Sequence, residues 1–248
     1  MKILQVHGLQ KSFGAVEATR NLSLTVRAGD IHALIGPNGA GKTTLVNQLS
    51  GDILPDQGEI RFNGMPITDL QPYRRARLGL ARSYQITSIF DQLTVAENFA
   101  LAILAGSRHN FRFWRHALDA RRVREELPAA LSRVDLFASA ERLAGHLSHG
   151  EKRQLEVGMA LACKPKLLLL DEPMAGMGPG GTVELSRRIN IWRKNLTILL
   201  VEHDMDVVFA LADRVTVLVY GQAIATGTPE QIRLDPAVRQ AYLGDGAN

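Results

Sequence analysis

Gly36-Pro37-Asn38-Gly39-Ala40-Gly41-Lys42-Thr43 is the stretch that decides the fold of this chain. It fits the pattern G-x-x-x-x-G-K-[ST]. The apolar run Ile31-His32-Ala33-Leu34-Ile35 precedes it, and residues 42–50 after it read as a helix ending at Gly51. In a strand–loop–helix context the glycines let backbone N–H groups turn inward around phosphates. The helix N-terminus adds partial positive charge. Lys42 is expected to reach the β- and γ-phosphates of a nucleoside triphosphate. The Thr43 hydroxyl is expected to bind Mg²⁺, and Thr44 offers a hydroxyl toward the α-phosphate.

Downstream, Leu167-Leu168-Leu169-Leu170-Asp171-Glu172 reads as a central strand ending in two carboxylates. Asp171 is expected to hold the Mg²⁺ shell, and Glu172 to act as general base for an attacking water. His203 follows a buried strand at residues 198–201, on the edge where open α/β sheets bind ligands, and is expected at the γ-phosphate. Gln85, after strand-like residues 80–84, is expected to ligate Mg²⁺ or to orient the water. A second polar turn, Leu147-Ser148-His149-Gly150-Glu151, opens a helix far from the first. One nucleotide does not need two such turns from one subunit, whereas two subunits facing each other could use both.

Around these motifs, short apolar runs alternate with helical patterns, as in an α/β chain with a mainly parallel sheet. Residues 3–6, 22–26 and 59–62 are strand-like and separated by glycine turns, which predicts an antiparallel β subdomain at the start. The segment 86–165 has no strand pattern. Thr94-Val95-Ala96-Glu97 is a capping box opening a helix over 95–104, and residues 121–127 and 129–134 read as helices interrupted at Pro128. We therefore expect a single domain over 1–248: an α/β core from 1–85 and 166–248, with a helical subdomain inserted at about 86–165. Strands at 167–170, 198–201 and 215–219, helices at 184–193 and 205–212, and a helical tail at 229–242 complete the reading.

The chain has 248 residues and one cysteine, Cys163, which excludes an intrachain disulfide and reads as core packing in an apolar helix. The amino end turns polar too soon for a secretory leader, and no run approaches the eighteen or so apolar residues of a membrane span. The expected place is the cytoplasm. A net charge of +4 suits a phosphate-rich ligand, an anionic membrane face or nucleic acid without choosing among them.

With these motifs in place, the chain resembles the nucleotide-binding subunit of ATP-binding cassette transporters over essentially its whole length. The markers occur in family order: residues 36–44 as Walker A, Gln85 as the Q-loop, 147–151 as the signature, 167–172 as Walker B, and His203 as the switch histidine. The resemblance implies ATP and Mg²⁺ as cofactors and a site made of Gly36, Pro37, Asn38, Gly39, Ala40, Gly41, Lys42, Thr43 and Thr44. Phe13 looks like the aromatic that stacks on adenine. The resemblance also implies a head-to-tail dimer, with an identical chain or a paralogue. ATP held at Lys42 of one subunit then meets Ser148, Gly150 and Glu151 of the other. Transmembrane permease subunits are implied as partners, and a solute-binding protein indirectly, with the chain peripheral on the inner face of the cell membrane. Nucleic acid is not expected. Two departures stand out. The signature reads His149-Gly150-Glu151 where the family usually has Gly-Gly-Gln, and Gly178 stands where the family often has an Asp after Walker B. The second bears on dimer coupling rather than on ATP binding.

Within the family the details look most like the ATPases of branched-chain (hydrophobic) amino-acid importers. They include Arg82-Ser83-Tyr84-Gln85, Met174-Ala175-Gly176, Val201-Glu202-His203-Asp204-Met205 and the ending Gly227-Thr228-Pro229-Glu230. Urea and amide importers and the lipopolysaccharide-export ATPase are similar and stay open as alternatives. A soluble ATPase acting on DNA or the ribosome is disfavoured, because there is one glycine loop and no sustained heptads. A regulatory module without turnover is disfavoured by intact Lys42, Asp171, Glu172 and His203. Residues 108–124 hold six Arg and one Asp interleaved with Phe111, Phe113 and Trp114. They read first as a permease- or membrane-facing surface, then as a solvated face, and last as a nucleic-acid contact.

Overall fold

Two long strands, β1 (Lys2–Phe13) and β2 (Val16–Arg27), pair antiparallel around a turn at Gly14. The computed structural model describes residues 1–83, 89–106 and 117–243, so Gln85 and the first part of the arginine-rich segment lie outside the described residues. The chain then forms β3 (Ile31–Ile35) and α1 (Lys42–Ser50), followed by β4 (Gln57–Phe62), β5 (Met65–Pro66), α2 (Pro72–Leu78) and β6 (Leu80–Ser83). Next come α3 (Val95–Ala105), α4 (Arg121–Arg133) and α5 (His149–Ala162). The last third alternates as β7 (Leu167–Asp171), α6 (Pro179–Trp192), β8 (Thr197–Val201), α7 (Met205–Leu211) and β9 (Arg214–Val219). It closes with β10 (Gln222–Gly227), α8 (Pro229–Leu234) and α9 (Pro236–Leu243).

The strands form two sheets. One is antiparallel in the order β2-β1-β4-β5, and the other runs β10-β9-β3-β8-β7-β6. In the second, β9, β3, β8, β7 and β6 are parallel, and β10 turns back antiparallel along β9. Both faces of the parallel sheet are covered, so its strands are apolar throughout rather than alternating. The period of two still sorts them. Leu168, Leu170, Ile198 and Leu200 enter a core shared with α3, α5 and α6. Leu167, Leu169, Leu199 and Val201 enter a second core with α1 and the antiparallel sheet.

Local sequence explains most boundaries. Thr94 caps α3 and Ser148 caps α5, each in a reciprocal box with the Glu three residues on. Gly51 ends α1 in the left-handed region at φ 89°. Two expectations need correction, and one strand adds to them. Pro128 does not interrupt α4, which runs unbroken through it and is anchored on either side by buried Val123 and Leu131. The tail is two helices rather than one, split at Asp235, whose carboxylate accepts the N–H groups of Ala237 and Val238 and so starts α9. The edge strand β10 was not expected at all. Among the described residues no helix is long and apolar enough to cross a membrane.

Candidate functional site

Parallel pairing brings the C-terminal ends of β3, β7 and β8 to one edge. Leu34 lies opposite Val201, and Val201 opposite Asp171, so the loops after these strands start at one level. The glycine loop follows β3, Glu172 follows β7, and Glu202 and His203 follow β8. This is the edge at which open α/β sheets take ligands.

The loop over 36–41 is shaped by close backbone approach. A Cβ on Gly41 (φ 97°) would sit 2.1 Å from the Ala18 carbonyl oxygen, and one on Gly36 would sit 2.2 Å from that of Leu218. No side chain fits at either place. The Gly221 N–H donates to the Ala40 carbonyl at 3.0 Å, and the Arg20 N–H to the Gly221 carbonyl at 2.8 Å. The turn between β9 and β10 thus pins the loop to β2. Lys42 opens α1 and is buried. Its ammonium donates back to the carbonyls of Gly36 (2.6 Å) and Pro37 (3.1 Å). Burial pushes the Lys42 pKa down, while Glu172 and Asp171 push it up. Asn38, Gly39 and Thr43 face solvent, and Thr44 is half-buried.

Asp171 ends β7 almost fully buried. It continues the alternation of Leu167 and Leu169, which turns it toward α1. There Arg82 Nη2 donates to Oδ2 at 3.0 Å. Arg82 Nη1 also reaches Asn47 Oδ1 (2.6 Å) on α1 and Asp52 Oδ2 (3.0 Å). Burial raises the Asp171 pKa, against the lowering by Arg82. Asp171 Oδ1 is buried and has no hydrogen-bond partner. An orphaned carboxylate oxygen on a residue whose charge is felt at Lys42 suits a divalent cation of hard, oxygen-seeking character such as Mg²⁺.

Glu172 lies half-buried in the left-handed region (φ 45°), its N–H donating to the Val201 carbonyl at 2.9 Å. A Glu held there stores about 1 kcal/mol or more of backbone strain, and such residues cluster at functional sites. His203 is largely exposed, with Nδ1 3.8 Å from Glu202 Oε2. Phe13 is half-exposed at the end of β1, with Lys11 Nζ 5.7 Å from its ring centre. Its cross-strand partner is Val16, two residues before the Ala18 that packs on Gly41.

The second turn sits on α5. Ser148 and His149 are exposed and Gly150 is half-exposed. Glu151 is committed locally. Its carboxylate accepts the Ser148 N–H at 2.8 Å and pairs with Arg142 at 2.6 Å. The cap and Arg142 hold its carboxyl below the usual range, the Ser148 N–H contributing most. One turn on, Arg153 donates to the Asp171 carbonyl at 2.7 Å. A Cβ at Gly176 would lie 3.3 Å from His149 Nε2. The start of α5 therefore abuts the turn after Glu172 in its own chain. Gly178 is the N-cap of α6, with Pro179 at the first helical position and no side-chain cap, so the missing Asp also leaves that helix uncapped.

The structure thus brings Lys42, Asp171, Glu172 and His203 to one edge and leaves Ser148 exposed and Gly150 half-exposed at the start of α5, beside the turn after Glu172. Gln85 lies outside the described residues. Sequence reading gave no role to Arg82, Arg153 or Glu202, all buried and charged. The signal was a charged residue in or next to an apolar strand, for Arg82 in Leu80-Ala81-Arg82-Ser83 and for Glu202 after Leu199-Leu200-Val201.

Comparison with known proteins bears on the family and the fold. Residues 19–175 match the ABC transporter family, and residues 224–248 match the family of branched-chain amino acid ATP-binding cassette transporters. The high-affinity branched-chain amino acid transport ATP-binding protein BraF of Pseudomonas aeruginosa is 39% identical over 250 residues, covering 98% of both chains. LivG of Escherichia coli, with the same description, is 38% identical over 253 residues, again covering 98% of both. A nucleotide-free ATP-binding cassette from an ABC transporter has a TM-score of 0.87 at 30% identity, covering 98% of this chain and all of that one. An ADP conformation of such a cassette gives 0.86 at 30%, covering 98% and 99%. The chain belongs to the ABC transporter family, as one of its ATP-binding ATPase subunits.

Proposed function

We propose that this ATPase works as one half of a head-to-tail pair, with ATP and Mg²⁺, and powers uptake of branched-chain amino acids through a separate membrane permease. The observation that carries the solute is the full-length similarity to branched-chain amino acid transport ATP-binding proteins at 38–39% identity. We place the protein on the cytoplasmic face of the membrane, with the helical segment 86–165 as the subdomain that meets the permease.

In this reading Thr43, Asp171 and Gln85 hold Mg²⁺, which when bound supplies positive charge to the β- and γ-phosphates. Backbone N–H groups of residues 36–44 cradle the phosphates, and Lys42 leaves the Gly36 and Pro37 carbonyls to meet the γ-phosphate. Phe13 stacks on the base. Glu172 accepts a proton from water as it attacks the γ-phosphorus in line with the departing ADP oxygen, and His203 holds the γ-phosphate in place. The partner subunit's α5 start, with Ser148 and Gly150, closes the site.

Glu172→Gln tests the chemistry. The variant is expected to bind ATP like the wild type and to lose about 100-fold or more in kcat, the usual scale for a general base. Wild-type turnover would remove Glu172 from that role. Uptake tests the solute. Vesicles carrying the co-purifying permease and this ATPase, with the cognate solute-binding protein outside, should accumulate labelled leucine, isoleucine or valine with internal ATP. Uptake of urea or an amide instead would move the chain to a related system.

A further inference from the structure

Glu202 follows Val201 at the end of β8 and is fully buried. Val201 faces the core beside α1, so the next residue turns to the other face, where Met174 is buried. There the carboxylate uses both oxygens on backbone groups. Oε1 accepts the Met174 N–H at 3.0 Å, and Oε2 accepts the His203 N–H at 3.3 Å. A carboxylate withdrawn from water is costly unless its oxygens are partnered, and burial raises the Glu202 pKa against the lowering by these two N–H groups. An apolar side chain in this place would leave both N–H groups without an acceptor. Both N–H groups it holds flank the proposed chemistry, since Met174 is two residues past Glu172 and His203 is the neighbour of Glu202. Glu172 is itself tied to β8 by its N–H to Val201. The ends of β7 and β8 are thus stitched twice, once by backbone and once by this side chain.

We infer that Glu202 is a positioning residue for ATP hydrolysis, clamping the turn after Glu172 and the His203 loop into one arrangement. This rests on the roles proposed above for Glu172 and His203. Glutamine at this position keeps the size and one acceptor, but sets its amide N–H against one of the two backbone N–H groups.

The test compares wild type, Glu202→Gln, Glu202→Asp, His203→Ala, the Glu202→Gln/His203→Ala double variant and Glu172→Gln. The readouts are ATP affinity, KM, kcat and thermal midpoint. Glu202→Gln is expected to keep ATP affinity and KM within about twofold while kcat falls about 10-fold, one charge-assisted hydrogen bond expressed in the transition state. Glu202→Asp, which keeps the charge and two acceptors, should recover part of that loss. In the His203→Ala background Glu202→Gln should cost less than in the wild type, because the share of its effect that acts through the His203 ring is already lost while the hold on the turn after Glu172 remains. Should Glu202→Gln prove unfolded at the assay temperature, Glu202→Asp carries the same cycle. A Glu202→Gln kcat within twofold of wild type, a loss matched by ATP affinity, or losses that multiply in the double variant would each overturn the positioning role alone, provided Glu172→Gln is impaired. Wild-type turnover by Glu172→Gln would overturn the site reading and this inference with it.

Discussion

At the residue scale the strand that carries the phosphate loop holds an ionisable group sealed beneath it. His32 in β3 is fully buried, with Nε2 2.8 Å from Thr216 Oγ1, which lies 2.8 Å from Thr226 Oγ1. Burial, reinforced by Arg214 and Arg27, pushes its pKa down to about 4. The ring is neutral in the fold at pH 7. In the unfolded chain the ordinary value of 6.5 applies, so between 6.5 and about 4 the unfolded state binds a proton that the folded state refuses. Stability from this group is complete above pH 6.5 and is lost as pH falls toward 4. The full shift corresponds to roughly 3 kcal/mol. Denaturant titrations of wild type and His32→Leu at steps from pH 7 to pH 4.5 check it. The lost Thr216 contact gives a constant offset, whereas the wild type should lose up to that amount more than the variant on acidification. Parallel pH profiles would show that His32 has no part in acid sensitivity.

At the element scale α4 shows where local rules give way. Pro128 lacks the N–H that would bond to the Arg124 carbonyl and crowds that carbonyl, a cost of about 3 kcal/mol in a helix interior. The helix persists because Val123 and Leu131 are buried on either side of it. Pro128 is itself exposed, so Pro128→Ala leaves no cavity. The unfolded chain gains freedom worth about 0.4–1 kcal/mol, which opposes the gain. The variant should be more stable by about 2 kcal/mol, read as a higher urea midpoint at unchanged slope, and a lower midpoint would show that the proline is needed. The same balance sets what was legible beforehand. The strands of the parallel sheet are continuous apolar runs, and α3 and α5 announce themselves by Thr94 and Ser148 with their glutamates, so these elements and the three motif loops could be read from residues alone. The strand β10 could not. It is short and half-exposed, and Gln222-Ala223-Ile224-Ala225-Thr226-Gly227 is a strand because β9 offers it an edge. Nor could the partners of the site be read. Arg82 meets Asp171 across 89 residues, and Glu202 meets Met174 across 28. Both contacts come from strand order, which no local pattern encodes.

At the scale of the whole molecule, the phosphate loop and the carboxylates share the open edge of the sheet, the face proposed above for the nucleotide. Nothing among the described residues of the same chain brings the exposed start of α5 over that face. Ser148 and Gly150 lie beside the turn after Glu172, as the Arg153–Asp171 and His149–Gly176 contacts require. A helix N-terminus is an anion site, and a second copy turned head to tail presents one to each γ-phosphate. ATP would then bridge two surfaces that have no other strong reason to adhere, and association should follow nucleotide occupancy by mass action. Hydrolysis would hide this in the wild type, so Glu172→Gln is the form to weigh. With ATP and Mg²⁺ its mass by light scattering should rise from the 27.2 kDa of one chain to twice that value, and fall back when nucleotide is removed. Ser148→Arg, placed at the exposed cap with its bulk toward the partner, should abolish the rise while ATP still binds each monomer. A Glu172→Gln protein that is saturated with ATP yet stays monomeric would refute the shared site, and would leave α5's open end to some other ligand.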